Sequence, residues 1–230
     1  MSDLIVKNVS FAYKEDSVIE NFSYSFNNKE IYSIVGHNGA GKTTLIRLFL
    51  GILKQKKGEI IINGSPKISY VPDLGGLFGL LTVKENIEIF SKLNRISKKD
   101  TNEYINKSIK QWGLYEKRYS KVNSLSMGQK QRLSLIIAGV NDPDIIFLDE
   151  PSNSIDIVSQ DMLNEFLTEY RDKGKMIIMA THDINLIEKV CDEVIILDNG
   201  VIKFSGAMSS IIDFTDLYKR YTFGGYQNDN

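Results

Sequence analysis

The order of apolar and polar residues predicts strands over the N-terminal third of the chain. Residues 5–26 read as strands, and within them "FSYSF" (22–26) alternates large apolar with small polar side chains, the period of a half-buried antiparallel strand. "EIYSIVG" (30–36) is a more continuous apolar run, as expected of a strand buried on both faces. "GEIIINGS" (58–65) reads as another strand that ends in an Asn-Gly turn.

A helical pattern takes over in the middle third. Thr82 with Glu85 predicts a capping box at the start of one helix, and a second helix is predicted over 100–112. A third helix follows Ser126. Residues 82–121 contain no convincing strand pattern, so this part reads as a helical insertion in an α/β frame.

The α/β pattern returns in the last third. "IIFLD" (145–149) and "KMIIMA" (175–180) read as strands on either side of a helix over 159–172. Residues 193–206 read as a hairpin that turns at Asn199-Gly200.

These patterns predict a single α/β domain over 1–230. We expect a core with a mostly parallel sheet, an N-terminal antiparallel β-subdomain, and a helical subdomain inserted at approximately 74–140. Residues 207–230 are predicted to form a C-terminal helix and a flexible tail that includes "GGYQNDN".

Composition restricts the possible functions without naming one. The 28 Lys and Arg residues nearly balance the 29 Asp and Glu residues, so there is no global field to attract nucleic acid. Cys191 is the only cysteine, which suits a reducing cytosol, and we interpret it as a small buried hydrophobe. The N-terminus lacks the basic region of a signal peptide, and no apolar run approaches the length of a membrane span. We therefore expect a cytoplasmic chain that reaches a membrane only through a partner.

"GHNGAGKTT" (36–44) fits the phosphate-binding pattern G-x-x-x-x-G-K-[ST]. The glycines let backbone N–H groups turn toward a polyphosphate, and the N-terminus of the following helix adds its positive dipole end. Lys42 would reach the β and γ phosphates, and the Thr43 hydroxyl would ligate Mg²⁺. The motif lies between a buried strand and a helix, which is the context that it requires. His37, at a variable position of the loop, is interpreted as a bystander.

Acidic residues and a histidine follow two later strands. Asp149 ends an apolar strand, where its carboxylate could hold Mg²⁺ through water, and Glu150 is placed to accept a proton from an attacking water. His182 ends the next strand, so it should emerge on the same carboxyl edge of the sheet. That position suits a contact with a γ-phosphate.

"LSMGQ" (125–129) has two compatible interpretations. Ser126 caps the following helix and Gln129 closes a capping box. The cap at the same time builds an anion site, because Ser126 and the Gly128 N–H are donors at a helix N-terminus.

The order "GHNGAGKT", "LSMGQ", "IIFLDE", "SNSID", "TH" resembles the nucleotide-binding domain of ATP-binding cassette (ABC) proteins, over the whole chain. The resemblance implies a P-loop NTPase core, ATP and Mg²⁺ as ligands, and two domains paired head to tail, with the signature of each covering the γ-phosphate held by the other. It implies nucleotide contacts from Tyr13, Gly36, Asn38, Gly39, Gly41, Lys42, Thr43, Thr44, Ser126, Gly128, Gln129 and Asp156. It implies catalysis by Glu150, His182 and Lys42, and metal contacts from Thr43, Asp149 and Asp73.

Two positions depart from the family pattern. Met127 replaces the commoner glycine of the signature. Asp73, in "YVPDLGG", stands where the family often has glutamine and related exporters often have glutamate. Because Asp is shorter by one methylene, its oxygen falls about 1.5 Å back at fixed backbone, although a water could bridge the gap. The alternative is that Asp73 merely follows Pro72 in a turn.

One basic region keeps two interpretations open. Residues 92–121 carry nine Lys or Arg and three acids. This segment is either a solvated helical face or a surface held near anionic lipid headgroups.

The resemblance predicts the ATP-hydrolysing subunit of an ABC transporter that powers a separate membrane permease. The stretch "YVPDLGGLFGLLTVKENI" looks most like exporters. The implied partners are the permease and a second cassette, most simply an identical copy, at the inner face of the cell membrane. The alternatives are a soluble ABC ATPase that acts on DNA or ribosomes, and a nucleotide-gated binding module with little hydrolysis. The single P-loop argues against the first, and the presence of Glu150 and His182 argues against the second.

Overall fold

The computed structural model describes residues 4–73, 75–153 and 155–222. Within them, nine strands form a three-stranded and a six-stranded sheet. The strands are β1 (Leu4–Tyr13), β2 (Asp16–Phe26), β3 (Ile31–Val35), β4 (Lys57–Ile62), β5 (Ile68–Val71), β6 (Ile145–Asp149), β7 (Met176–Thr181), β8 (Glu193–Asp198) and β9 (Val201–Ala207). The predicted flexible tail, 224–230, lies outside the described residues.

The smaller sheet is the predicted antiparallel one, in the order β2-β1-β4. The alternation read from "FSYSF" is present, since Phe22 and Phe26 are buried while Ser23 and Ser25 are exposed. The larger sheet has the order β5-β6-β7-β3-β8-β9. Its first five strands are parallel and β9 pairs antiparallel with β8. A mostly parallel sheet beside an antiparallel one confirms the predicted fold class.

The described residues form seven α-helices, of which the first six lie between strands and the last follows β9. They are α1 (Lys42–Phe49), α2 (Val83–Leu93), α3 (Lys98–Gln111), α4 (Met127–Ala138), α5 (Ile157–Asp172), α6 (Ile184–Val190) and α7 (Phe214–Thr222). Three of them, α2 to α4, lie between β5 and β6, where the sequence predicted helices. None of the helices in the described ranges is long and apolar enough to cross a membrane.

Capping residues set the helix starts. Thr82 and Glu85 form the predicted capping box at α2. Two predicted starts were late by two residues. Helix α3 begins at Lys98 because Ser97 accepts a hydrogen bond from the Asp100 N–H, and α5 begins at Ile157 because Asp156 accepts one from the Ser159 N–H.

The two faces of the large sheet bury different layers. Ile145 and Phe147 on β6 pack in a cluster with α1 and the small sheet. Ile146 and Leu148 on the same strand pack toward the helices on the opposite face. Strands β3, β6 and β7 are therefore covered on both sides and fully buried, which explains their continuous apolar sequences.

Candidate functional site

Two glycines in the loop between β3 and α1 leave no room for a side chain. A Cβ on Gly36 would lie 2.3 Å from the Leu197 carbonyl oxygen, and one on Gly41 would lie 2.7 Å from Ile19 Cδ1. Gly41 (φ 106°) and Gly39 (φ 91°) also have positive φ angles, which favour glycine. Gly41 caps α1 without a side-chain hydrogen bond, so the first amides of this helix remain available to an anion.

Lys42 is buried under this loop. Its Nζ donates to the Gly36 carbonyl at 2.7 Å and to the His37 carbonyl at 3.3 Å. It also lies 3.4 Å from Glu150 Oε1. The ammonium group is thus held by the loop that would surround a phosphate, with one carboxylate as its counter-ion.

The oxygen ligands expected for Mg²⁺ lie together. Thr43 Oγ1 donates to Asp149 Oδ1 at 3.0 Å. Burial raises the pKa of Asp149, and the charges of Glu150 and Asp73 raise it further, whereas the hydrogen bond from Thr43 and the charge of Arg47 lower it. Crowded carboxylates beside a hydroxyl fit a hard cation.

Side chains alone do not complete a metal site. Among residues 4–73, 75–153 and 155–222, no group of three or more His, Cys, Asp or Glu has the arrangement of a metal centre. This fits Mg²⁺, which is usually held by one or two carboxylates together with substrate phosphates and waters. The residues present fit such an ion when a nucleotide supplies phosphate oxygens.

Glu150 lies between the Lys42 ammonium group and the His182 imidazole ring. Its Oε1 faces Lys42, and its Oε2 lies 2.9 Å from His182 Nδ1. The carboxylate is almost buried, while His182 is half exposed. Glu150 has a φ of 48° and its N–H donates to the Ala180 carbonyl at 2.7 Å. This left-handed backbone is uncommon for a non-glycine residue and turns the side chain from β6 toward the end of β7.

A cavity of about 570 Å³ opens over the loop. Ten of the predicted site residues line it, together with Val18, Ala40, Arg47, Tyr70 and Pro72. The predicted ones are Tyr13, Asn38, Gly39, Gly41, Lys42, Thr43, Thr44, Asp73, Asp149 and Glu150. Tyr13, whose ring is 43% exposed, packs edge-on against Phe11, so part of its surface is left for a ligand.

Among the lining residues that the sequence did not predict, Arg47 and Tyr70 carry polar groups. Burial and the charge of Asp149 raise the pKa of Tyr70, and Arg47 opposes this rise. Arg47 follows Thr43 by one helical turn, so helical spacing could have placed it on the face of α1 that holds the site. Tyr70 stands near the carboxyl end of β5, beside β6.

The signature residues lie elsewhere. Ser126 Oγ accepts from the Gln129 N–H at 3.2 Å, and Gln129 Oε1 accepts from the Ser126 N–H at 3.1 Å, which is the predicted capping box. A Cβ on Gly128 would lie 3.8 Å from Asp156 Oδ2, so the N-termini of α4 and α5 are neighbours. Of the described residues that line the 570 Å³ cavity, none belongs to this group.

Asp73 has a partner that the sequence did not indicate. Asn153 Nδ2 donates to Asp73 Oδ1 at 3.0 Å, and the Asn153 N–H donates to the Glu150 carbonyl at 3.1 Å. In the same turn, the Pro151 carbonyl accepts from Gln131 Nε2 of α4 at 3.1 Å. The turn after Glu150 is thus bonded both to the loop at Asp73 and to the signature helix.

His37, interpreted from the sequence as a bystander in phosphate binding, does not line the cavity, but its ring contacts two parts of the chain. Its Nδ1 lies 2.8 Å from the Asn38 carbonyl, and its Nε2 lies 3.1 Å from Asp198 Oδ1 on β8. The ring therefore ties the phosphate-binding loop to the hairpin of β8 and β9. The contact with Asp198 could not be predicted from local sequence, because the two residues lie 161 positions apart.

Comparison with known proteins agrees with this geometry. The model of the family described as ABC transporter matches residues 19–153, more than half of the chain. The chain therefore belongs to the ABC transporter family, as an ATP-binding domain with a P-loop.

Relatives and a solved structure carry the same description. SkfA peptide export ATP-binding protein SkfE of Bacillus subtilis is 36% identical over 203 residues, which are 85% of each chain. An uncharacterized ABC transporter ATP-binding protein of Methanocaldococcus jannaschii is 32% identical over 90% of this chain and 78% of its own. A solved ATP binding subunit of an ABC transporter has a TM-score of 0.88 at 26% identity, over 95% of this chain and 98% of that one.

Proposed function

We propose that this chain hydrolyses ATP to power a separate membrane permease, as part of an exporter at the inner face of the cell membrane. The observation that carries the proposal is the position of Glu150, held between Lys42 and His182 beside Asp149. A module that only bound nucleotide would not need a buried carboxylate aimed at the place of a terminal phosphate.

Each side chain has a role that follows from its contacts. Lys42 and the amides at the start of α1 would neutralise the phosphates. Glu150 would orient a water and accept its proton, and the nearby Lys42 and His182 would stabilise the charge that develops on the γ-phosphate. Thr43 and Asp149 would hold Mg²⁺, and Asp73 would approach it through a water. A bound Mg²⁺ would supply charge neutralisation of the phosphates.

The signature region supports a second copy as partner. Ser126 is exposed, and neither it nor Gly128 nor Gln129 lines the cavity over the phosphate-binding loop. Ser126, the Gly128 N–H and Gln129 would contact the nucleotide on a facing cassette, with Asp156 at the interface. Binding of ATP would hold the two copies together and hydrolysis would release them, a cycle that can move a membrane partner.

Export is supported by the name of the Bacillus subtilis relative, a peptide export protein. To test the proposal, the protein is purified from membranes and the hydrophobic polypeptide that co-purifies with it is identified. ATP turnover is then measured for the protein alone and for its complex with that polypeptide in lipid. We expect low turnover alone and a rise with the permease. Glu150→Gln in the same complex controls for contaminating ATPases. Turnover that does not change with the membrane partner would contradict the role as a transporter subunit.

A further inference from the structure

The charges of this chain are unevenly distributed. Residues 92–121 carry nine Lys or Arg against three acids, a net charge of +6. Because the whole chain has a net charge of −1, the remainder has −7. A positive segment on an otherwise negative protein creates a local field that the total charge conceals.

The positive charges of this segment are not neutralised locally. Eight of the nine basic residues are exposed, and Arg118 is half-buried. Among the residues that the structure describes, none of the nine is within 4.0 Å of a carboxylate, whereas eight Lys or Arg elsewhere form such ion pairs. The segment therefore presents unpaired cations to its surroundings.

Two exposed tyrosines stand among these cations. The Arg118 guanidinium lies 4.1 Å from the ring centroid of Tyr115 and 4.8 Å from that of Tyr119, and Lys110 Nζ lies 5.5 Å from that of Tyr115. Tyr115 is 41% exposed and Tyr119 is 66% exposed. We call Lys110, Tyr115, Lys117, Arg118, Tyr119 and Lys121 the basic aromatic cluster.

The backbone under the cluster is fixed to α2. The Lys84 N–H donates to the Arg118 carbonyl at 3.0 Å, and the Val83 N–H donates to the Ser120 carbonyl at 3.1 Å. Two acids are near. Glu116 lies within the cluster sequence, and the pKa of Glu85 is lowered by its hydrogen bonds from Thr82 and, to a smaller extent, by the charge of Lys121. The four cations of the cluster outnumber these two acids, which leaves an excess of positive charge on a supported surface.

We propose that the basic aromatic cluster binds the anionic phospholipid headgroups of a membrane. Lys and Arg near such a surface bind its negative charge, and tyrosine places an apolar ring and a polar tip at the interface between lipid and water. The proposal rests on the proposed membrane role of the chain, since only a subunit held at a membrane would use it. It adds a direct contact with lipid to the contact through the permease.

The geometry favours lipid over nucleic acid. A single-stranded nucleic acid would stack its bases on exposed aromatic faces, but here cationic groups already lie over the Tyr115 ring. Headgroup phosphates need only the cations. The rest of the chain has a net charge of −7 and would repel a long polyanion that extends beyond the cluster. A membrane needs to contact only the surface that carries the cluster.

The test measures co-sedimentation of the full chain with vesicles of phosphatidylcholine alone and of phosphatidylcholine mixed with phosphatidylglycerol. One variant combines K117Q, R118Q and K121Q. The matched control combines K7Q, K54Q and K67Q, which remove three exposed charges outside the segment. Each Lys or Arg at an anionic surface raises the affinity about fivefold, so the cluster variant should bind the mixed vesicles about a hundredfold more weakly.

We expect the native chain to bind the mixed vesicles but not those of phosphatidylcholine alone, and salt should weaken this binding. The cluster variant should lose the binding and the control variant should keep it. Tyr119→Ala, which retains all charges, should weaken binding several-fold. ATP binding, measured on the same samples, should be unchanged in each variant and shows that each is folded. The proposal would be overturned if the chain bound both vesicle types equally well or if both triple variants lost binding equally. It would also be overturned if a single-stranded oligonucleotide displaced the vesicles. If the native chain binds the mixed vesicles but does not hydrolyse ATP, only the proposed function is overturned.

Discussion

The phosphate-loop region and the signature region of this molecule differ in how completely one chain builds them. At the first, the Glu150 carboxylate lies 3.4 Å from Lys42 and 2.9 Å from His182. At the second, the hydroxyl of Ser126 is bonded, within the described residues, only to its capping partner Gln129. The first region is assembled by neighbouring strands of one sheet, whereas the second is a pair of helix N-termini open to solvent. This difference is what we expect if the signature is half of a site that a second copy completes.

The substitution Ser126→Arg should have the largest effect if the signature acts across a dimer. It removes a hydroxyl and introduces bulk and charge against the facing nucleotide. Groups supplied in trans can be worth on the order of 10³-fold in phosphoryl transfer. We therefore expect a loss of that size in ATP turnover, with unchanged nucleotide binding by the single chain, measured by steady-state phosphate release and by equilibrium titration.

Mixing two inactive variants sharpens this test. A hybrid of Ser126→Arg with Lys42→Ala has one composite site in which both the lysine and the serine are intact. Once hybrid formation has been verified, turnover should return in the mixture. Normal turnover by the Ser126 variant alone would show that the serine is only a helix cap.

The substitution Glu150→Gln tests the region that one chain completes. The amide keeps the shape of the side chain but cannot accept a proton, so turnover should fall by at least about a hundredfold while ATP remains bound. A stable ATP-bound dimer should accumulate, seen as a doubled mass by size exclusion. Glu188→Gln, at an exposed position of α6, is the matched control and should be as active as the native chain. Similar activity of the two variants would remove Glu150 from the reaction.

The contrast between the regions also shows what sequence alone can predict. The phosphate-binding loop, the acidic strand end and both capping boxes depend on residues close together in the chain, so spacing and local hydrogen bonding reveal them. The pairs Asn153–Asp73 and His37–Asp198 join residues 80 and 161 positions apart. They depend on the strand order, which no local pattern contains. The roles assigned to the site residues remain predictions.

Substitutions at the turn that joins the two regions should have an intermediate effect on ATP turnover. Asp73→Ala removes the acceptor for Asn153 and the carboxylate that would approach Mg²⁺. We expect ATP binding to be unchanged and the stimulation by the permease to be lost, a change of up to about tenfold, since small displacements of reacting groups are costly. The measurement is turnover of the reconstituted complex against turnover of the chain alone.

Asn153→Ala separates positioning from metal contact. It leaves the Asp73 carboxylate in place but removes the hydrogen bond that ties it to the turn of Glu150. A partial loss of stimulation is expected, while Asp172→Ala, at an exposed position, serves as the control. Full stimulation in both the Asp73 and the Asn153 variants would show that this turn does not couple the regions.

The smallest effect is expected for His37. Both of its ring nitrogens face acceptor oxygens, those of Asn38 and Asp198, and a neutral ring can donate to only one of them. Because the ring is 40% exposed, its loss in His37→Ala should cost only about 0.5–1 kcal/mol of the free energy of unfolding. For a chain of this length that corresponds to a fall of about 1–4 °C in Tm. ATP affinity should weaken a few-fold as the loop loosens. His37→Gln, which can keep one of the two contacts, should fall between the native chain and His37→Ala in a thermal melt. An unchanged Tm and ATP affinity in His37→Ala would mean that the loop is held without this bridge, by the glycine packing and Lys42 alone.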